Sequence, residues 1–354
     1  MLEQSGTGVN LKKYLLHYRL RVVVLGETGF GIFLSTGYSW ESNRDLTLEA
    51  ERLGYDTVYM TDHLTAGGAP RIESLTTIAA LSSITERVRF GEMVLCYAFR
   101  NPALLAKIGA TIDVISGGRF ELGIGAGWCQ EEFESYGYPF ASYRERVRAL
   151  REAVTVIRKM WTEDAPTFKG EYFRIKDAYC EPKPLQKPHP PIMVGGESRR
   201  LLRVAAEMGD KYNTLRLGVE EFRERVEYLR KHCAKSGRDP SELKITFGFH
   251  LNIFPGERAL TESLRLAYER QNAAKAFRDW VDEARDEELG YIYQDRGRET
   301  YAGTAEQVLR RTEAYMRYGA SCFMLKFGDH PREKAMMRLF KTEVVDQIKD
   351  AALG

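Results

Sequence analysis

Three short segments carry residue types that can do chemistry, and a fourth leads toward them. Thr61-Asp62-His63 joins a carboxylate to an imidazole. An aspartate so placed can accept a hydrogen bond from a ring N–H of a bound heterocycle, and His63 can exchange a proton near neutral pH. The plainer alternative is that Asp62 caps the following loop and His63 packs against it. Gly123-Ile-Gly125-Ala-Gly127-Trp128 offers side-chain-free backbone that a planar ring or a phosphate can approach, or simply glycines needed for packing. It is not the G-x-G-x-x-G dinucleotide fingerprint, because the spacing differs and no helix is expected directly after it. Gly195-Gly196-Glu197-Ser198 precedes a helix whose first turn bears Arg199 and Arg200. Its free N–H groups and helix dipole suit a phosphate, provided Glu197 points away, whereas an ordinary turn with Ser198 as N-cap is the alternative. Met93-Val94-Leu95-Cys96, leading into Phe99-Arg100-Asn101-Pro102, reads as a buried strand end and nothing more.

Each of these segments follows a short β-type run, and the runs alternate with helical patterns from residue 30 onward. Strands are expected at Gly31–Leu34, Thr57–Met60, Val88–Leu95, Phe120–Ile124, Ile192–Val194, Tyr212–Leu215, Ile245–Phe249 and Cys322–Leu325. Helices are expected over Trp40–Leu53, closed by Gly54, over Glu73–Ile84, and from Pro102 to the Gly117-Gly118 stop. A further helix places Val147, Leu150, Val154, Ile157 and Trp161 on one face at steps of three and four. Thr167-Phe168 and Tyr172–Ile175 suggest a small hairpin around Lys169-Gly170, followed by a proline-rich connector from Pro182 to Pro191. Eight strands alternating with about eight helices favour an α/β fold of the (β/α)8 TIM-barrel type over an open sheet. The barrel is expected over residues 29–350, with insertions near 164–190 and 255–302 and residues 1–28 as an extension of unknown role.

Composition narrows the function classes. Lys plus Arg number 52 against 50 Asp plus Glu, for a net charge of +2, and no basic stripe exists to track a nucleic-acid backbone. The five cysteines, Cys96, Cys129, Cys180, Cys233 and Cys322, form no C-x-x-C pair, which argues against a disulfide framework or a zinc cluster and suits a reducing cytoplasm. No apolar run approaches the roughly 18 residues of a membrane span. No metal site is expected, and no nucleic-acid or membrane partner.

Taken in order, several segments resemble the luciferase-like monooxygenase superfamily, in its branch that uses the deazaflavin coenzyme F420. They are the 50–58 run from Ala50 to Val58, Thr61-Asp62-His63, the stretch from Asn101 to Lys107, Ser116–Phe120, Gly123–Trp128, Pro191–Gly196 and Gly303–Val308. The resemblance implies a barrel with an insertion after the seventh strand, usually a homodimer, with the cofactor ring over the ends of strands two to four. It implies that Asp62 and His63 face the ring and that Met93-Val94 forms a non-prolyl cis peptide behind it. By the same resemblance, Cys96, Gly125, Gly127 and Glu131 surround the ring and its ribityl chain, and Gly195-Gly196, with Glu197 in the same turn, cradles the phosphate. Relatives that oxidise sugar phosphates or alcohols carry a glutamate where this chain has Trp128; Glu131 or Glu132 is left to supply a carboxylate, with Glu131 taken first.

The expected function is hydride transfer between F420 and a small organic substrate, with His63, Asp62 and Glu131 as catalytic candidates. Rival readings are an FMN-dependent monooxygenase served by a separate reductase, and a flavin-binding relative without turnover. A barrel glycosidase would pair Asp62 with Glu131 or Glu132 and need no cofactor.

Overall fold

A computed structural model describes residues 28–65, 70–271, 276–286, 289–295, 298–328 and 332–353, so most of the expected 1–28 extension lies outside the described residues. The strands are β1 (Gly29–Leu34), β2 (Thr57–Met60), β3 (Arg89–Glu92), β4 (Leu95–Cys96), β5 (Phe120–Gly125), β6 (Phe168–Lys169), β7 (Arg174–Ile175), β8 (Ile192–Gly195), β9 (Lys211–Leu215), β10 (Lys244–Phe254), β11 (Tyr291–Asp295), β12 (Arg298–Thr304) and β13 (Ala320–Phe327). Eight of them, β1-β2-β3-β5-β8-β9-β10-β13, pair in parallel, and β13 returns to β1, which closes the expected (β/α)8 barrel.

The helices are α1 (Trp40–Leu53), α2 (Ser74–Ser82), α3 (Pro102–Ile115), α4 (Gln130–Ser135), α5 (Tyr143–Thr162), α6 (Arg199–Met208), α7 (Val219–Lys235), α8 (Glu257–Gln271), α9 (Phe277–Ala284), α10 (Ala305–Arg317), α11 (Glu333–Phe340) and α12 (Asp346–Leu353). Their boundaries follow from local chemistry. Gly54 ends α1 in the left-handed region, at φ 77°, and its N–H reaches back to Ala50 and Glu51 carbonyls. Asn101 caps α3 with Pro102 in the first turn, and the Ser142–Glu145 capping box opens α5. The stripe from Val147 to Trp161 is buried, and Trp161 Nε1 donates to the Ala106 carbonyl of α3.

Strand residues alternate between two environments, as a period of two requires. Phe90, Phe120, Leu122, Ile192, Phe247 and Phe323 face the helices in the main core, whereas Phe33, Tyr59, Met93, Met193, Cys322 and Met324 form a smaller cluster inside the barrel. Below that cluster the buried Glu121 accepts from Arg89 Nε at 2.7 Å, Lys211 Nζ at 2.6 Å and the Tyr59 hydroxyl at 2.8 Å. Burial opposes its charge, but Lys211 and then Arg89 outweigh that and hold the Glu121 carboxyl at about 2.

Two sequence expectations change, and one insertion gains its form. The third strand, expected as one run over Val88–Leu95, is broken at Met93-Val94, whose peptide is cis as the resemblance implied. The hairpin pairs Phe168 with Ile175 and Lys169 with Arg174, a register shorter than expected because Tyr172 and Phe173 are held in the turn by the Glu152 carboxylate. The stretch after the seventh barrel strand is structured: β10 runs past the barrel rim, and its outer half pairs with β12, which is antiparallel to β11. No helix among the described residues is long and apolar enough to cross a membrane.

Candidate functional site

At the C-terminal ends of the barrel strands lies a cavity of about 780 Å³, where barrel enzymes of every kind place their reactive groups. It gathers residues from the first seven barrel strands, including Phe33, Thr61 to His63, Met93 to Cys96, Gly125 to Cys129, Gly195 to Ser198, and Asn213 to Arg216. Of the residues singled out in the sequence, Asp62, His63, Met93, Val94, Cys96, Gly125, Gly127, Gly195, Gly196 and Glu197 all line it. Glu131 does not: its side chain is exposed on α4, and the carboxylate at the cavity is its neighbour Glu132.

Glu132 is buried, and both oxygens are engaged. One lies 3.0 Å from His63 Nδ1; the other accepts from the amides of Leu64 at 2.6 Å and Thr65 at 3.1 Å. Burial works against the Glu132 charge, yet His63 and these amides overcome it and keep the carboxyl below its usual range. An ionised carboxylate only accepts, so His63 Nδ1 carries the proton and Nε2 is the nitrogen left to face a ligand. The indole of Trp128, 73% exposed, stands edge-on to the imidazole at 5.8 Å and forms the rim.

Asp62 is built in differently. Arg100 donates to both its oxygens, at 2.8 and 2.9 Å, while Ser74 Oγ and the Cys96 amide supply one further bond each, at 2.9 and 3.0 Å. The four lone-pair positions of the carboxylate are thereby filled. Its effect is to fix the loop after β2 to α2 and to β4. Arg100, which the sequence presented only as the lead-in to Asn101-Pro102, is the cation that makes this possible.

The floor explains two of the glycines by space. A Cβ on Gly125 or on Gly195 would each lie 2.8 Å from a Val94 methyl, so Val94 sits in a seat that only glycine leaves open on both flanking strands. Cys96, beside it, is buried, and burial pushes its thiol up to about 12, which leaves it uncharged. At the far side Ser198 caps α6, accepting from Leu201 N at 3.2 Å, and its hydroxyl meets that of Tyr143. The turn is thus an N-cap, as one sequence reading held, and it sets the N-terminal end of α6 beside the cavity.

A model of the luciferase-like monooxygenase family matches residues 21–322. The chain belongs to that family. This luciferase-like chain is 36% identical over 204 residues to an FMNH(2)-dependent dimethylsulfone monooxygenase of Pseudomonas putida, covering 57% of this chain and 56% of the relative. It is 37% identical over 176 residues to an F420-dependent glucose-6-phosphate dehydrogenase of Intrasporangium calvum, covering 48% and 52%. The matched region thus spans about half the length of these relatives. Among solved structures, an F420-dependent secondary alcohol dehydrogenase superposes with a TM-score of 0.73 at 21% identity, over 91% of this chain and 99% of that one. The EDTA monooxygenase of Chelativorans sp. BNC1 gives 0.74 at 16% identity, over 92% and 95%. These two likenesses establish the luciferase-like fold alone.

Beyond taking Glu131 before Glu132 and passing over Arg100, the sequence reading missed Phe33, Arg216 and His250 of the cavity wall. Glu132 had one usable signal, since Phe133 beside it is the apolar residue that a short helix must turn inward. A six-residue helix is too short for its period to show this unaided.

Proposed function

We propose that this chain is an oxidoreductase that holds coenzyme F420 in the cavity and acts on a small organic substrate beside it. The observation that carries this reading is the convergence, in one cavity of about 780 Å³, of an apolar floor at Val94, the His63–Glu132 pair, and the Gly195–Ser198 turn that leads into the N-terminus of α6. A flat ring with a phosphorylated tail fits that set: apolar floor beneath the ring, helix N-terminus at the tail. When bound, the deazaflavin supplies hydride exchange with the substrate.

The chain's own residues do the rest. His63 Nε2 takes or gives the accompanying proton, and Glu132 fixes the tautomer that leaves this nitrogen available. Asp62, through Arg100 and the Cys96 amide, holds the floor in place. Trp128 stands at the rim beside His63, where it would meet the substrate. Because Trp128 stands where sugar-phosphate relatives carry a glutamate, the substrate is of another class than a sugar phosphate.

A second reading, an FMN-dependent monooxygenase fed by a separate reductase, draws support from the 36% identity to the dimethylsulfone enzyme. Titrating the purified protein with F420 and with FMN, followed by absorbance, separates the two. F420 binding with turnover of an organic donor supports the first; tight FMN binding without F420 binding replaces it with the second. A chain that binds either ring but never turns over is the non-catalytic relative. In the oligomeric form expected of the family, a homodimer, each copy would carry its own cavity.

A further inference from the structure

We propose that Arg216 makes the β9–β10 side of the cavity the seat of a compact oxyanion on the substrate, a carboxylate or sulfonate carried by an apolar body. This rests on the reading above, in which the arc from β2 to β8 holds the cofactor.

The placement argues for it. Arg216 directly follows β9 and lines the cavity, yet among the described residues its guanidinium has neither an ion pair nor a hydrogen bond. The other charges differ: Asp62 is matched by Arg100 and Glu132 by His63. Glu197 lines the same cavity and makes no ion pair with Arg216. Residue 216 also adopts a left-handed backbone, at φ 50°, where glycine is the residue without steric cost. Its N–H donates to the Gly248 carbonyl of β10 at 3.0 Å, which ties it to β10 rather than to the Gly195-Gly196 turn on β8. Close by on the wall are Leu215, Phe33 and His250, the last two edge-on at 5.4 Å.

In the closed ring of eight strands, β9 lies opposite β2, which carries His63. A substrate anchored at Arg216 therefore reaches across the cavity toward the proton-handling nitrogen. The planar fork of a guanidinium matches an oxyanion with two or more oxygens, and Arg216, exposed at the mouth of the cavity, is accessible to one. The same fork would also suit the phosphate of a cofactor tail, so the test must tell the two sources apart.

Hexane-1-sulfonate, hexanoate and hexan-1-ol serve as probes, titrated by calorimetry into cofactor-free and cofactor-loaded protein, wild type, Arg216→Gln and Arg216→Gly. The glycine variant suits the left-handed backbone and guards against a folding defect in the glutamine one. Wild type is expected to bind the two anions at least tenfold more tightly than the alcohol, and both variants to lose that preference while keeping the affinity for the alcohol. FMN and riboflavin affinities are expected to be unchanged by either substitution. The proposal is overturned if wild type shows no preference for the anions, if the variants keep it, or if they weaken FMN but not riboflavin. Failure of every cofactor to bind would instead strike the functional reading, since anion preference is measured in the cofactor-free protein as well.

Discussion

His63 owes its suggested role to one hydrogen bond. With Nδ1 committed to Glu132, its other nitrogen is held toward the cavity in a single tautomer. His63→Ala should leave cofactor affinity nearly intact and lower turnover by about 10² to 10⁴, the usual worth of a positioned acid or base. Glu132→Gln should lower kcat with little change in KM and shift the acidic limb of the pH–rate profile. A histidine variant with normal turnover would remove His63 from the chemistry. Glu92 is a different case. It is fully buried, its Oε1 has no partner, and its Oε2 has only a long bond, 3.4 Å, from the Gly123 amide. Burial, then the Asp62 carboxylate, push it up to about 8 from the ordinary 4.5. Between those values the folded chain keeps a proton that the unfolded chain releases. Stability therefore falls as pH rises through that window, by about 1.4 kcal/mol per pH unit at most, and is level above it. Glu92→Gln should match wild type near pH 4 in urea melts and become progressively more stable than it toward pH 8; parallel curves would show that Glu92 titrates normally.

Among the elements, the junction of β8 with α6 concentrates the demands on the site. Gly196 has φ 137°, and a Cβ there would lie 2.3 Å from Leu201 Cδ1. A side chain at 196 strains the left-handed backbone and pushes aside Leu201, which lines the cavity at the start of α6. Gly196→Val is expected to abolish cofactor binding in an absorbance titration. Gly218 also precedes a helix, α7, but lies outside the cavity and would bring a Cβ into open space. Gly218→Ala should leave binding unchanged, so equal losses in the two variants would mean that the effect is general destabilisation. The element-level reading from sequence held where periodicity was long: the stripe of α5, the Gly54 stop, the Pro102 start. It failed where elements are short, as with α4, or broken, as with the third strand at its cis peptide.

For the molecule as a whole, closure of the barrel brings Arg89, Glu121 and Lys211 together from three strands around one buried carboxylate. Removing the anion leaves two cations facing each other in the interior. Glu121→Ala should cost about 3 kcal/mol in urea unfolding at pH 7, the lower end for a broken buried pair because Arg89 and Lys211 keep some exposure. With the Glu121 carboxyl held at about 2, its stabilisation is full above the ordinary carboxyl range and is lost as pH falls from about 4.5 to 2. The variant's deficit should shrink over that window. A variant as stable as wild type at pH 7 would show that the network contributes nothing net.

Strand and helix alternation, the glycine turns and the position of Asp62-His63 past a strand were all legible in the chain alone, because each is written in local spacing and backbone preference. So was the family, through segments that keep their order. Which of Glu131 and Glu132 reaches the cavity, that Arg100 fills the Asp62 carboxylate, and that Arg216 and His63 line one cavity from opposite strands were decided only on closure of the barrel. Contacts between residues tens to hundreds of positions apart depend on register and on which strands become neighbours, and no local pattern in the sequence carries that information.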